Sequence, residues 1–289
     1  MSRHRRTRRV AALLAAATTL GACSGSDPGP AAGTTTTEPT AAADRPDPAA
    51  PVTVSVASEQ EVDRAFRQGL AKTPDGWAMS TNFSLFLTDD AFARTLTVDA
   101  AIPPEWVAKG YDHLGDPDVV GDVLVVPAEQ PDYDLGTQAM LRFDIDTLEY
   151  LGGTEVAQSH NAWVAFDPEQ SIAYSMSGFT DDTVLPYVVN GDTWSALDPI
   201  RLSDEIGRVQ GGDVADGALW LSTDDEDDGV YRVDLATGTV ERAGSIGHVE
   251  SEGEGIDATV LPSGDLHVLT AGASLGPVLL VHLDIDPAD

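Results

Sequence analysis

With 48 acidic and 16 basic residues in a length of 289, the chain has a formal net charge of −32, and only Lys72 and Lys109 are lysines. Such a surface repels phosphate backbones and anionic headgroups, which excludes nucleic acid as a partner. The length is ample for a core held by burial alone, and the single cysteine, Cys23, excludes an intrachain disulfide and a thiolate metal site.

The chain begins with a basic stretch, Arg3, Arg5, Arg6, Arg8 and Arg9, followed by an apolar segment from Val10 to Leu20. Eleven residues are too few to span a bilayer as a permanent helix, so residues 1–22 read as a signal peptide. Leu20-Gly21-Ala22-Cys23 resembles the lipobox of bacterial lipoproteins. The resemblance implies cleavage before Cys23 and lipidation of its thiol, giving a membrane anchor on the extracytoplasmic face. Residues 23–50 are rich in Ala, Thr, Pro, Gly and Asp and lack periodicity. They read as a disordered tether reaching at most ~90 Å from the membrane.

Residues 51–289 form the predicted folded domain. Pro51-Val52-Thr53-Val54-Ser55-Val56 alternates as a strand, and Glu59 to Leu70 has room for one short helical turn; no other helix is predicted. A strand-length motif then recurs five times, ending at Ser80, Pro127, Ser175, Ser222 and Thr270, at intervals of 47, 48, 47 and 48. A second element ends at Asp144, Asn190, Asp234 and Asp284, with Ser84 to Thr88 as its weaker first copy. The clearest repeat runs from Gln210 to Ile246 and contains an Asp216-Gly217 hairpin turn. A period of this size made of strands marks an all-β, five-bladed β-propeller, or six blades if one weak blade is split. An open β-sandwich leaves the period without a cause. The last repeat stops after its third strand, so the strand from Pro51 is expected to complete that blade and close the ring.

One polar residue precedes the first strand of each repeat: Gln68, His113, His160, Gln210 and Glu254, at intervals of 45, 47, 50 and 44. In a propeller these positions gather at one mouth of the channel. The ligand-binding candidates are Gln68, Asn161, Arg208, Gln210 and His248, and the acid–base candidates are His113 and His160. Glu252, Glu254, Asp116, Asp118, Asp213 and Asp257 are oxygen donors suited to a hard cation; Ca²⁺ is the one cofactor the residues point to. The same residues also suit a plainer role, satisfying backbone groups around a hydrated channel.

The third-strand pattern of Leu141-Arg142-Phe143-Asp144 and Tyr231-Arg232-Val233-Asp234, with Glu254-Gly255-Ile256, resembles exported bacterial propellers. That group spans gluconolactonase-like, phytase-like and calcium-activated nucleotidase-like proteins and non-catalytic repeat propellers. The resemblance implies Ca²⁺ at the channel in the enzymes, and Glu254 alone matches the glutamate several of them use. Two functions stand: a monomeric, lipid-anchored, non-catalytic protein binding a small molecule, glycan or protein at the mouth, and a Ca²⁺-dependent hydrolase of a lactone, phosphate ester or nucleotide.

Other signals are weaker. Asp224-Asp225-Glu226-Asp227-Asp228-Gly229 lacks the glutamate a calcium loop needs at its twelfth position, which is Leu235, and reads as a solvated loop. Asp181-Asp182 is expected in the equivalent loop of the preceding blade. Pro131 to Asp134 is expected in an insertion near the mouth, either a lid or ornament. Trp163 and Trp220 are expected between blades.

Overall fold

Five antiparallel sheets, one per repeat, make the five-bladed β-propeller that the period requires. The computed structural model describes residues 50–248, 251–272 and 276–288; the segment read as a signal peptide, Cys23 and the stretch read as a tether, up to residue 49, lie outside these. Blade 1 consists of Gly69–Thr73, Gly76–Ser80, Leu85–Thr88 and Arg94–Val98. In blade 2 the inner strand is broken into His113–Leu114 and Asp118–Val120, which both pair with Val123–Glu129; Gln138–Asp144 and Tyr150–Val156 follow. Blade 3 is Ala165–Asp167, Ile172–Ser175, Thr180–Asn190 and Thr193–Ala196, with Ile200–Gly207 pairing alongside the third strand. Val209–Ala215, Ala218–Thr223, Gly229–Asp234 and Val240–Ser245 form blade 4.

Blade 5 is a composite. Ser251–Asp257, Leu266–Gly272 and Val278–Pro287 come from the end of the chain, and Val52–Val62 supplies the outer strand. The seam runs from Val52↔Pro287 to Val62↔Val278, with one irregularity between Val56 and Ser58. Ring closure by the N-terminal strand is therefore as expected, and it removes the two sheet edges an open array exposes.

The recurrent second strands are apolar for a physical reason. Each is covered on both faces by neighbouring blades, so Gly76–Ser80 and Ala218–Thr223 are buried at every residue. Outer strands such as Arg94–Val98 meet water and alternate or lose their apolar face. Trp163 and Trp220 are both buried in inter-blade clusters.

Three local expectations fail. Glu59 to Leu70 holds no helical turn: the closing strand continues to Val62, and a tight turn follows in which Phe66 N–H donates to Asp63 O at 2.9 Å. Helix appears instead at Pro104–Val107, with a 3₁₀ turn at Tyr133–Leu135, pieces too short to show a period in sequence. Asp181 and Asp182 lie within strand Thr180–Asn190, where Asp182 pairs with Arg201. The acidic run Asp224–Asp228 does join the second and third strands, but it is not wholly solvated. Asp228 is buried and accepts from Ser251 Oγ at 3.0 Å and Gly253 N–H at 3.2 Å.

The centre of the ring is closed by one side chain. Gly69, Asp116, Trp163, Gly211 and Gly255 recur at intervals of 47, 47, 48 and 44 along the inner strands. The backbone of Asp116 pairs with blade 3, donating to Ala162 O at 2.7 Å and accepting from Val164 N–H at 3.2 Å. Its fully buried carboxylate accepts N–H bonds from Leu70 (2.9 Å), Gly212 (3.2 Å) and Ile256 (3.3 Å). Asp116, in blade 2, thereby bonds to all four other blades. The room it takes explains a glycine opposite: a Cβ on Gly255 would run into Asp116 Oδ1. Burial pushes the Asp116 carboxyl well above the usual range, against the three backbone donors that favour its charged form.

A second tier of carboxylates lies one step along the same strands. Asp118 accepts from Phe166 N–H of blade 3, Asp213 from Ala258 N–H of blade 5, and Asp257 from Lys72 N–H of blade 1, each at 2.6 Å. Each of these carboxylates reaches the inner strand of the following blade. Ser80 and Ser222, the small residues that end two of the repeated runs, do the same by donating to Gly115 O and Glu254 O.

Asp116→Ala leaves three buried N–H groups without an acceptor, each costing roughly 1–3 kcal/mol. Urea unfolding of D116A is expected to show a loss of about 3 kcal/mol or more. The exposed control Asp146→Ala should stay within about 0.5 kcal/mol of wild type.

Candidate functional site

The five residues that precede the inner strands come together. Gln68, His113, His160, Gln210 and Glu254 line one cavity of about 340 Å³, joined by Asp112, Glu129, Gln130, Tyr133, Phe179 and Glu252. Each blade contributes one of the five, because the chain enters every blade at the same mouth.

Two paired groups define its chemistry. His113 Nε2–H donates to Gln68 Oε1 at 2.5 Å, which ties blade 2 to blade 1. His160 Nδ1 stands 3.0 Å from Glu129 Oε1, and that oxygen also accepts from Asn161 N–H. The His160 ring is held between aromatic neighbours. Tyr133 stacks on it at 5.1 Å and Phe179 meets it edge-on at 5.5 Å. Tyr133 belongs to the insertion of blade 2, so that loop does overhang the mouth.

The electrostatics are one-sided. Asp112, Glu129, Glu252 and Glu254 line the cavity, and no Lys or Arg is among the described lining residues. Burial pushes Glu254 well above the usual carboxylate range; repulsion from Glu252 and Asp224 adds to this, and Arg67 opposes it. Glu129 is raised, chiefly by burial. His113 is lowered by burial in spite of Glu129 and Asp112, and His160 is lowered by burial. Burial thus favours the uncharged forms of both imidazoles and of Glu129 and Glu254 alike, and a cation entering the cavity would draw the two carboxyl groups toward their charged forms.

Other sequence candidates lie elsewhere. Asn161 is fully buried and works as a latch: its Nδ2–H donates to Ala139 O at 2.7 Å, and its Oδ1 accepts from Gln158 Nε2–H at 2.7 Å. Arg208 sits on the rim, paired with Asp224 and 5.1 Å over the Phe179 ring. His248 contacts Glu59 at 2.9 Å, away from the cavity lining.

The six oxygen donors are not brought to one place. Glu252 and Glu254 face the mouth, Asp116 plugs the axis, and Asp118, Asp213 and Asp257 line a second cavity on the opposite face. The reason is strand geometry, since three residues of extended chain advance about 10 Å along the axis. Among the described residues no three His, Cys, Asp or Glu side chains gather at the spacing of a metal centre. A Ca²⁺ ion needs about six to eight oxygen ligands, and the described carboxylates do not gather into such a cage.

Glu129, Asp112 and Phe179 were missed in the sequence. Glu129 is the last residue of a second strand, two past the repeated run, and Asp112 immediately precedes a flagged histidine. Phe179 sits in a connection with no periodic signal.

No protein-family model matches the chain, and no curated protein matches it. Among solved structures it is similar to hydrazine synthase of Kuenenia stuttgartiensis, with a TM-score of 0.45, 16% identity, and coverage of 80% of this chain and 65% of that one. The chain thus spans less than two thirds of that protein's chain. It is also similar to a gluconolactonase of Xanthomonas campestris, with a TM-score of 0.43, 14% identity, and coverage of 72% of this chain and 68% of that one. Neither likeness bears on chemistry.

The second tier generates a pH test. Burial and the charge of Asp257 push the Asp118 carboxyl from 3.8 up to about 7, against its bonds from Phe166 and Val119. Between the unfolded and folded values the native state holds a proton that the unfolded chain has lost, so this group withdraws stability as pH rises through that window. Asp118→Asn removes the titration. In urea unfolding at pH 5, 6, 7 and 8, D118N should gain stability relative to wild type at each step upward. A constant difference would show that Asp118 ionises normally.

Proposed function

We propose that this protein is a lipid-anchored, extracytoplasmic binding propeller whose mouth cavity takes a small ligand bearing positive charge. One observation carries the reading: each blade contributes one polar side chain to a cavity lined by four carboxyl groups and two imidazoles whose charged forms burial disfavours, with no Lys or Arg among the described lining residues. A cation is the partner such a cavity favours. Tyr133 and Phe179, both about half exposed at 43% and 44%, offer ring surface to the apolar part of a ligand. Glu252 and Glu254 take the charge, and Gln68 and Gln210 supply donors and acceptors. The protein acts as a monomer, tethered through Cys23.

A second reading has one specific support. With Nδ1 engaged by Glu129, His160 has its other ring nitrogen left to accept a proton, the arrangement of a general base. The reaction in that case is hydrolysis with His160 taking the proton; the described carboxylates form no cage for the Ca²⁺ that the family resemblance implies. A neutral lactone fits the acidic mouth better than a phosphate ester or a nucleotide, which four carboxylates repel.

Thermal unfolding of the full-length protein, titrated in turn with Ca²⁺, spermidine and choline, tests both. The binding reading expects a saturable rise in Tm with at least one of them, and about tenfold weaker apparent binding in E252Q. No rise with any of the three sinks it. Turnover of a lactone that is lost in H160A would establish the hydrolase instead. The anchor is tested separately by metabolic labelling with radioactive palmitate: wild type should carry label, and C23S should carry none and leave the membrane fraction.

A further inference from the structure

The face opposite the mouth holds the larger of the two cavities, about 510 Å³, within the range of about 300–1,000 Å³ typical of small-molecule sites. It runs outward from the axis between blades 2 and 3. Its walls are apolar: Val119, Val123 and Val125 from blade 2, Phe166 and Val189 from blade 3, and Val214 from blade 4. Its axial end is acidic, formed by Asp118, Asp213 and Asp257.

The charges in this cavity are unevenly answered. Lys72 is turned back on its own hairpin, donating to Thr73 O at 2.8 Å and Gly76 O at 3.0 Å and pairing with Asp90 at 3.1 Å. Arg142, toward the outer end, is paired with Asp192. The three axial carboxylates have backbone N–H partners but, among the described residues, no hydrogen bond or ion pair to a cationic side chain. They repel one another across the axis: Asp257 acts on Asp118, and both act on Asp213. A cation placed among them would relieve that repulsion. The apolar walls decide which kind. A hydrated metal ion gains nothing from valine and phenylalanine, and the described side chains gather at no metal-centre spacing. An ammonium group on an apolar body meets both ends of the cavity: its charge suits the acidic end without requiring the converged ligand shell a metal needs, and its body suits the valines and phenylalanine.

We propose that this cavity is a second binding site, for a primary amine with an apolar body, its ammonium seated among Asp118, Asp213 and Asp257 and its hydrocarbon between blades 2 and 3. The site is separate from the mouth and does not rest on the function proposed for it.

The probe is n-hexylammonium, titrated into the full-length protein by calorimetry beside n-hexanol and hexanoate. Saturable binding of the amine alone is expected, unchanged in E252Q at the mouth. Val120 lines the cavity at its exposed rim, 41% accessible, so Val120→Lys adds a positive charge there without touching the core. V120K should weaken binding at least tenfold, and D118N should weaken it as well. Three outcomes overturn the proposal: no binding of the amine, equal binding of n-hexanol, or binding unchanged in V120K. Displacement of the amine by equimolar Ca²⁺ would also overturn it, making the axial trio a metal site.

Discussion

The propeller depends on the burial of one carboxylate. Asp116 stands on the axis and accepts backbone N–H bonds from blades 1, 4 and 5, while its own backbone pairs with blade 3. Four sheets that otherwise meet through side-chain packing and hydrogen bonds between adjacent blades are thus linked to a single residue. Removing a carboxylate from water is expensive, and here the energetic return is spread over donors from three blades. Glycines face it because the inner strands crowd to the point where a Cβ has no room. A cavity lies toward each face of the ring, and among the described residues no lining residue is common to the two.

That division separates two kinds of chemistry. The mouth is polar, ringed by one residue per blade and walled by Tyr133 and Phe179. The opposite cavity has valine and phenylalanine walls, with Asp118, Asp213 and Asp257 at its axial end and Asp167 of blade 3 also in its lining. Asp118, Asp213 and Asp257 have a structural duty, since each caps the inner strand of the next blade. The same geometry places three carboxyl groups near one another, and burial with their mutual repulsion raises Asp118 and Asp213 above the usual carboxylate range.

Ring closure works on the same economy of contacts. The strand Val52–Val62 joins the last blade across the full length of Val278–Pro287, bringing together the two ends of the described chain. Arg232 reaches Ala50 O at 2.9 Å and Val52 N–H donates to Glu241 at 3.0 Å, so blade 4 also holds the seam. Contacts of this separation carry the entropic cost of closing a long loop, which slows folding.

Fold and mouth were largely legible in the sequence, because both are periodic. The second strands repeat as apolar runs since every one is covered on two faces, and five polar residues repeat ahead of the inner strands since every blade is entered from the same side. Gln68, His113, His160, Gln210 and Glu254 were found in this way, and the cavity contains all five. Features that break the period were not legible. The short helix at Pro104–Val107 has too few residues to show one, and Phe179 reaches the mouth from an irregular connection. Asp116 was visible as an acid near the axis, but nothing local distinguishes it from Asp213. Their inner strands are offset by two positions, and that offset turns one into a plug and the other into the lining of a different cavity. Depth along the axis is a tertiary quantity, set by how five strands from distant parts of the chain slide against one another. The sequence by itself determined the repeat period, the closing strand and the five residues that enter the mouth ahead of the inner strands; only the packed ring decided that the blades number five, which further residues line the mouth, which carboxylates meet, which are buried, and on which face each is presented.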